Sequence, residues 1–153
     1  MVMTLDQTLR LACILGETAV AGTVILLRGE LGSGKTTFVQ GLGIGLGIAT
    51  VIHSPTFVLL QEYWEGRLPL FHADLYRLDP LSVLDLGLEE LWSGPGIVAV
   101  EWPERLPELP QQWLDLQLEW AGDETRKLQI QWQGQAHGQL WQQVVEQYSS
   151  MHF

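Results

Sequence analysis

Apolar and polar residues recur along this chain with two different periods, and the changes of period mark out its elements. Thr4-Leu5-Asp6-Gln7 has the form of a capping box, in which side chains satisfy the first free amides of a helix. Leu5, Thr8, Leu9, Ala12 and Leu15 follow at helical spacing, with Gly22 beyond them, and predict an opening helix. Thr23–Arg28 (TVILLR) is a continuous β-branched and leucine run, the pattern of a parallel-sheet strand buried on both faces. Thr36–Leu46 reads as a second helix weakened by Gly41, Gly43 and Gly45. An interior glycine costs about 1 kcal/mol relative to alanine, so this helix requires close packing.

Thr56–Tyr63 and Leu68–Ala73 read as two strands joined by a turn at Glu65-Gly66. Pro80–Leu91 predicts a short helix, with Pro80 in its first turn and Leu81, Leu84, Leu88 and Leu91 beyond. Ile97–Val100 is another buried strand. Leu114, Leu116, Leu118 and Trp120 then share one face, as do Leu128, Ile130 and Trp132, which predicts a half-buried antiparallel hairpin across Ala121–Thr125. Leu140, Val144, Val145 and Tyr148 give the glutamine-rich tail from Gln135 an amphipathic helical stripe. The expected class is α/β, with a mainly parallel central sheet, flanking helices and a C-terminal antiparallel hairpin. Its 153 residues fit a single domain over residues 1–153.

Charge narrows the functions. Eight Lys plus Arg oppose eighteen Asp plus Glu, a net charge of −10, and the lysines are only Lys35 and Lys127. So acidic a chain is a poor unaided binder of a nucleic acid backbone, which demands clustered cations. One cysteine, Cys13, excludes an internal disulfide and a cysteine-based zinc site, and is expected in the core. The histidines (53, 72, 137 and 152) lack ligand-like spacing with it, and the seven tryptophans are assigned mostly to core faces. Ala19–Leu27 and Gly41–Ile52 are too short or too glycine-rich to span a bilayer, and the N-terminus carries no export pattern. A cytoplasmic protein without a membrane partner is expected.

Gly29-Glu30-Leu31-Gly32-Ser33-Gly34-Lys35-Thr36 matches the phosphate-loop pattern G-x-x-x-x-G-K-[ST], after a buried strand and before a helix as that motif requires. The glycines let backbone amides face phosphate oxygens, and the helix N-terminus adds its positive field. Lys35 would reach the β- and γ-phosphates of ATP, and the Thr36 hydroxyl would ligate Mg²⁺. Thr37 follows. A metal-binding acid is needed at the end of a second buried strand. Glu101 after Ile97–Val100 and Asp74 after Leu70–Ala73 are the candidates, with Glu101 favoured because its strand is more uniformly apolar. Ser54-Pro55-Thr56-Phe57 places Thr56 20 residues beyond Thr36, where small nucleotide switches bring a threonine to the γ-phosphate.

Together these motifs resemble the TsaE (YjeE) family of bacterial P-loop ATPases. The resemblance covers roughly Thr4 to Ile130 and rests on Thr8, GELGSGKTTF (29–38), SPTF (54–57), HADLYR (72–77), GLEE (87–90) and VEWPERL (100–106). Ser33 stands where the family more often has alanine. The resemblance implies a P-loop NTPase fold, weak hydrolysis of ATP with Mg²⁺, and work beside a heterodimer of TsaB and TsaD. That heterodimer makes N6-threonylcarbamoyladenosine in tRNA, so tRNA would be met only through the partners. By position, Gly29, Gly32, Ser33, Gly34, Lys35, Thr36 and Thr37 would hold the nucleotide. Thr36 and Glu101 would bind the metal, and Asp74 and Thr56 would join Lys35 and Glu101 in catalysis. Thr8 would contact adenine, with Arg126 as a second candidate, and Arg77 would pair with a carboxylate or, as the sharper alternative, act at the nucleotide or partner interface.

A GTPase is set aside because neither lysine lies in an Asn-Lys-x-Asp element. A small-molecule kinase needs an arginine-lined acceptor site, for which eight cations are sparse. A nucleotide-sensing adaptor without turnover is the non-enzymatic alternative.

Overall fold

The computed structural model describes residues 1–53 and 59–151. Strand β1 (Val2–Thr4) leads directly into helix α1 (Leu5–Thr18), and β2 (Val24–Arg28) leads through the glycine loop into α2 (Lys35–Leu46). Strands β3 (Leu60–Tyr63) and β4 (Leu70–Asp74), helix α3 (Pro80–Leu84) and strand β5 (Ile97–Glu101) follow. The hairpin β6 (Trp113–Trp120) and β7 (Thr125–Gln133) precedes helix α4 (Gln135–Ser150). All strands join one sheet in the order β1-β7-β6-β2-β5-β4-β3.

The centre of the sheet, β6-β2-β5-β4, is parallel, whereas β1–β7, β6–β7 and β3–β4 pair antiparallel. The expected parallel centre and C-terminal antiparallel hairpin are both present, and β1 and β3 extend the sheet with two further antiparallel margins. Hairpin connections are too short to return a chain in the same direction, so both margins reverse. The uniformly apolar runs of β2 and β5 occupy the middle, as burial on both faces demands. One face carries Ile25, Leu27, Ile97, Ala99, Leu114, Leu116 and Leu118 under helices α1, α2 and α4. The other buries Val24, Leu26, Phe71, Ala73, Val98 and Val100 beneath α3 and its neighbouring loops. Each fully buried Leu or Ile contributes about 1.5–3 kcal/mol relative to exposure.

The capping box forms as expected: the Gln7 amide donates to Thr4 Oγ1 at 3.1 Å, and the Thr4 amide donates to Gln7 Oε1 at 2.9 Å. The glycines of α2 are explained by its contact with α1. A Cβ on Gly41 would stand 2.6 Å from the Ala12 Cβ, and one on Gly45 would overlap the Cys13 carbonyl oxygen. The helices thus approach more closely than any side chain at those positions permits. Strand β1 had no sequence signal of its own, being three residues pinned to β7.

Two further expectations are corrected and two are met in part. The Pro80–Leu91 helix stops at Leu84, and a single 3-10 turn covers Leu88–Glu90, because Gly87 takes a left-handed φ of 69° between them. Of the strand predicted over Thr56–Tyr63, Leu60–Tyr63 forms, Leu59 takes a left-handed φ of 66°, and Thr56 to Val58 lie outside the described residues. Cys13 is half-buried, its thiol donating to Glu17 Oε1 at 3.5 Å, because it sits at the flank of the apolar stripe of α1. Trp64, Trp120 and Trp132 are exposed and, among the described tryptophans, only Trp141 is buried in the core, while Trp92, Trp102 and Trp113 pack partly buried against the cluster beneath α3. Among the described residues, no helix is long and apolar enough to cross a membrane.

Helix α4 is locked to the sheet by His137, whose Nε2 accepts the Val24 amide at 3.1 Å. Burial pushes the His137 pKa below its ordinary 6.5. Its contribution to stability is complete above pH 6.5 and is lost as the pH falls through the depressed value, because the unfolded chain takes up the proton first. Denaturant titrations at pH 7.5 and about pH 5 should therefore show a smaller acid destabilisation in His137→Gln than in the parent. Independently, Gly45→Ala should destabilise the protein by about 1–3 kcal/mol in the same measurement, the overlap with α1 outweighing the gain in helix propensity.

Candidate functional site

A buried strand, β2, delivers the chain to the glycine loop, and three residues there hold φ values that favour glycine: Gly29 at 143°, Gly32 at 79° and Gly34 at 106°. Gly34 is also the residue before α2, which therefore starts without a side-chain cap. The first helical bond runs from the Phe38 amide to the Gly34 carbonyl at 2.9 Å, so the preceding amides have no acceptor within the helix. That leaves a ready anion cradle at the positive end of α2.

Beside the cradle is a cavity of about 300 Å³, lined among others by Gly32, Gly34, Lys35, Thr36, Thr37, Asp74, Glu101 and Arg126. Parallel pairing sets its floor, because Asp74 and Glu101 are register partners at the ends of β4 and β5. Alternation turns both toward the face that α2 covers, the face of Leu70 and Ile97. Glu101 is only 3% exposed, and its Oε2 accepts the Thr36 hydroxyl at 3.3 Å and lies 2.5 Å from His72 Nε2. Asp74 is half-buried, with Oδ1 accepting the Tyr76 amide at 3.0 Å. Burial pushes the Asp74 pKa up and Glu101 adds to the rise, while the Tyr76 amide, His72 and Lys35 oppose it.

Lys35 folds back over its own loop, donating from Nζ to the carbonyls of Gly29 and Glu30. Its ammonium also lies 4.5 Å from the centre of the Trp102 ring. Burial lowers the Lys35 pKa, with Glu101, Asp74, Glu104 and Glu30 pulling it back up. Trp102 directly follows β5 with a left-handed φ of 59°, and its ring packs on Tyr76 at 4.8 Å. Such a backbone conformation costs on the order of 1–3 kcal/mol and is tolerated where surrounding contacts enforce it.

The hairpin reaches the same place from the other side. Arg126, at the start of β7, donates from Nε to the Ser33 carbonyl at 3.1 Å and stacks 3.5 Å from the centre of the Trp120 ring. Ser33 itself is buried, and Gly29 closes against Leu118 and Ser33, so these two shape the loop rather than line the cavity. Thr8 is not brought to the cavity: it is fully buried in α1 and its hydroxyl donates to the Thr4 carbonyl at 3.0 Å. Arg77 is exposed at the cavity rim and forms no ion pair among the described residues, which corrects its assignment as a carboxylate partner. Thr56 lies outside the described residues.

Three participants escape the sequence reading. His72 was weighed only against cysteine for metal binding, yet its position two residues before Asp74 on an apolar strand put it on the acid's face. Alternation puts Trp120 on the apolar face of the hairpin and the tryptophans as a group read mostly as core, although Trp102 adjoins the acid directly.

A family model for "Threonylcarbamoyl adenosine biosynthesis protein TsaE" matches residues 2–128. A tRNA threonylcarbamoyladenosine biosynthesis protein TsaE from a Nostoc species is 54% identical over 129 residues, 82% of this chain and 80% of the relative. The protein of the same name from Bacillus subtilis is 43% identical over 124 residues, 80% of this chain and 78% of the relative. A crystal structure of Bacillus subtilis YdiB superposes with a TM-score of 0.80 at 34% identity, covering 95% of this chain and 91% of that one.

Replacing Arg126 by Ala removes a charge-assisted bond to the loop and a cation–π contact, and should lower unfolding free energy by about 1–3 kcal/mol. Chemical denaturation checks this. A change within about 0.5 kcal/mol, the range of ordinary surface substitutions, would mean that the hairpin does not brace the loop.

Proposed function

The chain belongs to the TsaE family, and we propose that it serves threonylcarbamoyladenosine synthesis in tRNA as a P-loop NTPase that binds and slowly hydrolyses ATP with Mg²⁺. In this reading its ATP cycle supports a cytoplasmic heterodimer of TsaB and TsaD, and tRNA is contacted through those partners. A net charge of −10 favours that division of labour, since the chain offers little to a phosphate backbone. The observation that carries the proposal is the Thr36 hydroxyl 3.3 Å from a buried Glu101 carboxylate, across the mouth of an uncapped helix.

The residues present fit a hard divalent cation, because hydroxyl and carboxylate oxygens are the donors such ions prefer. Mg²⁺, when bound, would neutralise charge on the β- and γ-phosphates. Thr36 and Glu101 would hold it. The amides of residues 32–37 would bind the phosphate chain, and Lys35 would leave the Gly29 and Glu30 carbonyls for the phosphate oxygens. Arg126 lines the cavity beside Gly34 and would face the rest of the nucleotide. Asp74, its carboxyl held up by burial beside Glu101, would orient the attacking water and accept its proton. The same reading assigns Thr56 to the γ-phosphate.

Calorimetric titration with ATP and Mg²⁺, followed by turnover assays with and without the heterodimer, tests the proposal. Lys35→Ala should weaken triphosphate binding by about 1.5–3 kcal/mol, roughly 10- to 150-fold. Glu101→Ala should abolish the dependence of hydrolysis on Mg²⁺, whereas Asp74→Ala should slow hydrolysis and keep that dependence. The reverse pattern would make Asp74 the metal ligand. Binding without turnover, alone and with the heterodimer, would leave a nucleotide-sensing adaptor.

A further inference from the structure

We propose that His72 is a positioning residue for Glu101, fixing which carboxylate oxygen faces the glycine loop and so setting how strongly Mg²⁺ adds to nucleotide binding. The inference rests on the nucleotide-and-metal reading above and deepens it. Its basis is a buried pair: His72 is 0% exposed, Glu101 is 3% exposed, and Nε2 lies 2.5 Å from Oε2. A carboxylate this deep must be hydrogen-bonded to remain ionised and in place. Thr36 bonds the same oxygen at 3.3 Å. Both contacts fall on Oε2, leaving Oε1 without a hydrogen bond among the described residues.

The sheet explains why His72 can do this. Strands β4 and β5 run parallel with His72 opposite Ala99 and Asp74 opposite Glu101. The ring therefore reaches diagonally along the sheet past the smallest apolar side chain of β5. In doing so it spends one nitrogen on Glu101 and leaves Nδ1 buried without a partner among the described residues. A side chain serving only to fill the core would carry no such penalty. The only hydrogen bond that His72 makes through its ring, among the described residues, is to the proposed metal ligand. Groups that orient a ligand from behind change metal affinity by about 10- to 100-fold when removed.

The test compares ATP affinity in Mg²⁺ and in EDTA for the full chain and for His72→Leu, His72→Gln and His72→Asn. The amide nitrogen of Gln can reach the position of Nε2, whereas that of Asn is one carbon short. In the parent, Mg²⁺ should tighten binding. In His72→Leu and His72→Asn that tightening should fall at least about tenfold, while affinity in EDTA stays within about twofold. His72→Gln should recover most of it. Because Gln and Asn are equally polar, their comparison stands even if the Leu variant fails to fold. If all variants lose affinity equally in Mg²⁺ and EDTA, or if Gln and Asn behave alike, His72 does not position Glu101. If the parent itself gains nothing from Mg²⁺, the nucleotide-and-metal reading fails instead.

Discussion

The organising constraint of this molecule is one carboxylate, Glu101, placed almost out of reach of water at the end of a central strand. An ionised group there must be surrounded by donors, and the structure supplies them from two different elements. Thr36 comes from the first turn of α2 and His72 from the middle of β4. Each depends on the parallel packing of β2, β5 and β4, which carries strand ends and the helix start to the same edge. Ligands of open α/β sheets gather at that edge, outside the carboxyl ends of the strands.

The supporting architecture can be read as what keeps that edge in register. Glycine contacts draw α2 against α1, and His137 ties α4 to the first residue of β2. Arg28 joins β2 to Asp115 of β6 at 2.8 Å and to Glu104 after β5 at 3.5 Å. These pairs are partly exposed and contribute little stability singly, but they define neighbours on both sides of the loop's supporting strand. Trp102 joins the tilted Tyr76 ring on one side to the Lys35 ammonium on the other, and all three line the cavity with the acids. Lys35 rests on loop carbonyls and an aromatic face, all of which an incoming phosphate could replace.

The distribution of charge separates roles. A strongly acidic protein concentrates two of its few cations, Lys35 and Arg126, at one glycine loop. An anionic ligand of the size of a nucleotide suits that arrangement better than a polymer of phosphates does, because the positive field is local.

The amino-acid sequence alone determined the loop, the strand before it and the helix after it, helix α1, the placement of Glu101 and Asp74 at the ends of two buried strands, and the hairpin. Those features obey rules that act within about ten residues: capping, side-chain period and the glycines a tight loop requires. Only the tertiary structure decided that His72 meets Glu101, that Thr8 stays inside α1 and that Arg77 sits exposed at the cavity rim with no ion pair among the described residues. It likewise decided that Arg126 and Trp120 brace a loop about ninety residues away, and that β1 closes the sheet antiparallel against β7. Such pairings depend on strand order and register. These are set by which buried faces and backbone hydrogen bonds can be satisfied together across the whole sheet, and no local stretch of sequence carries that information.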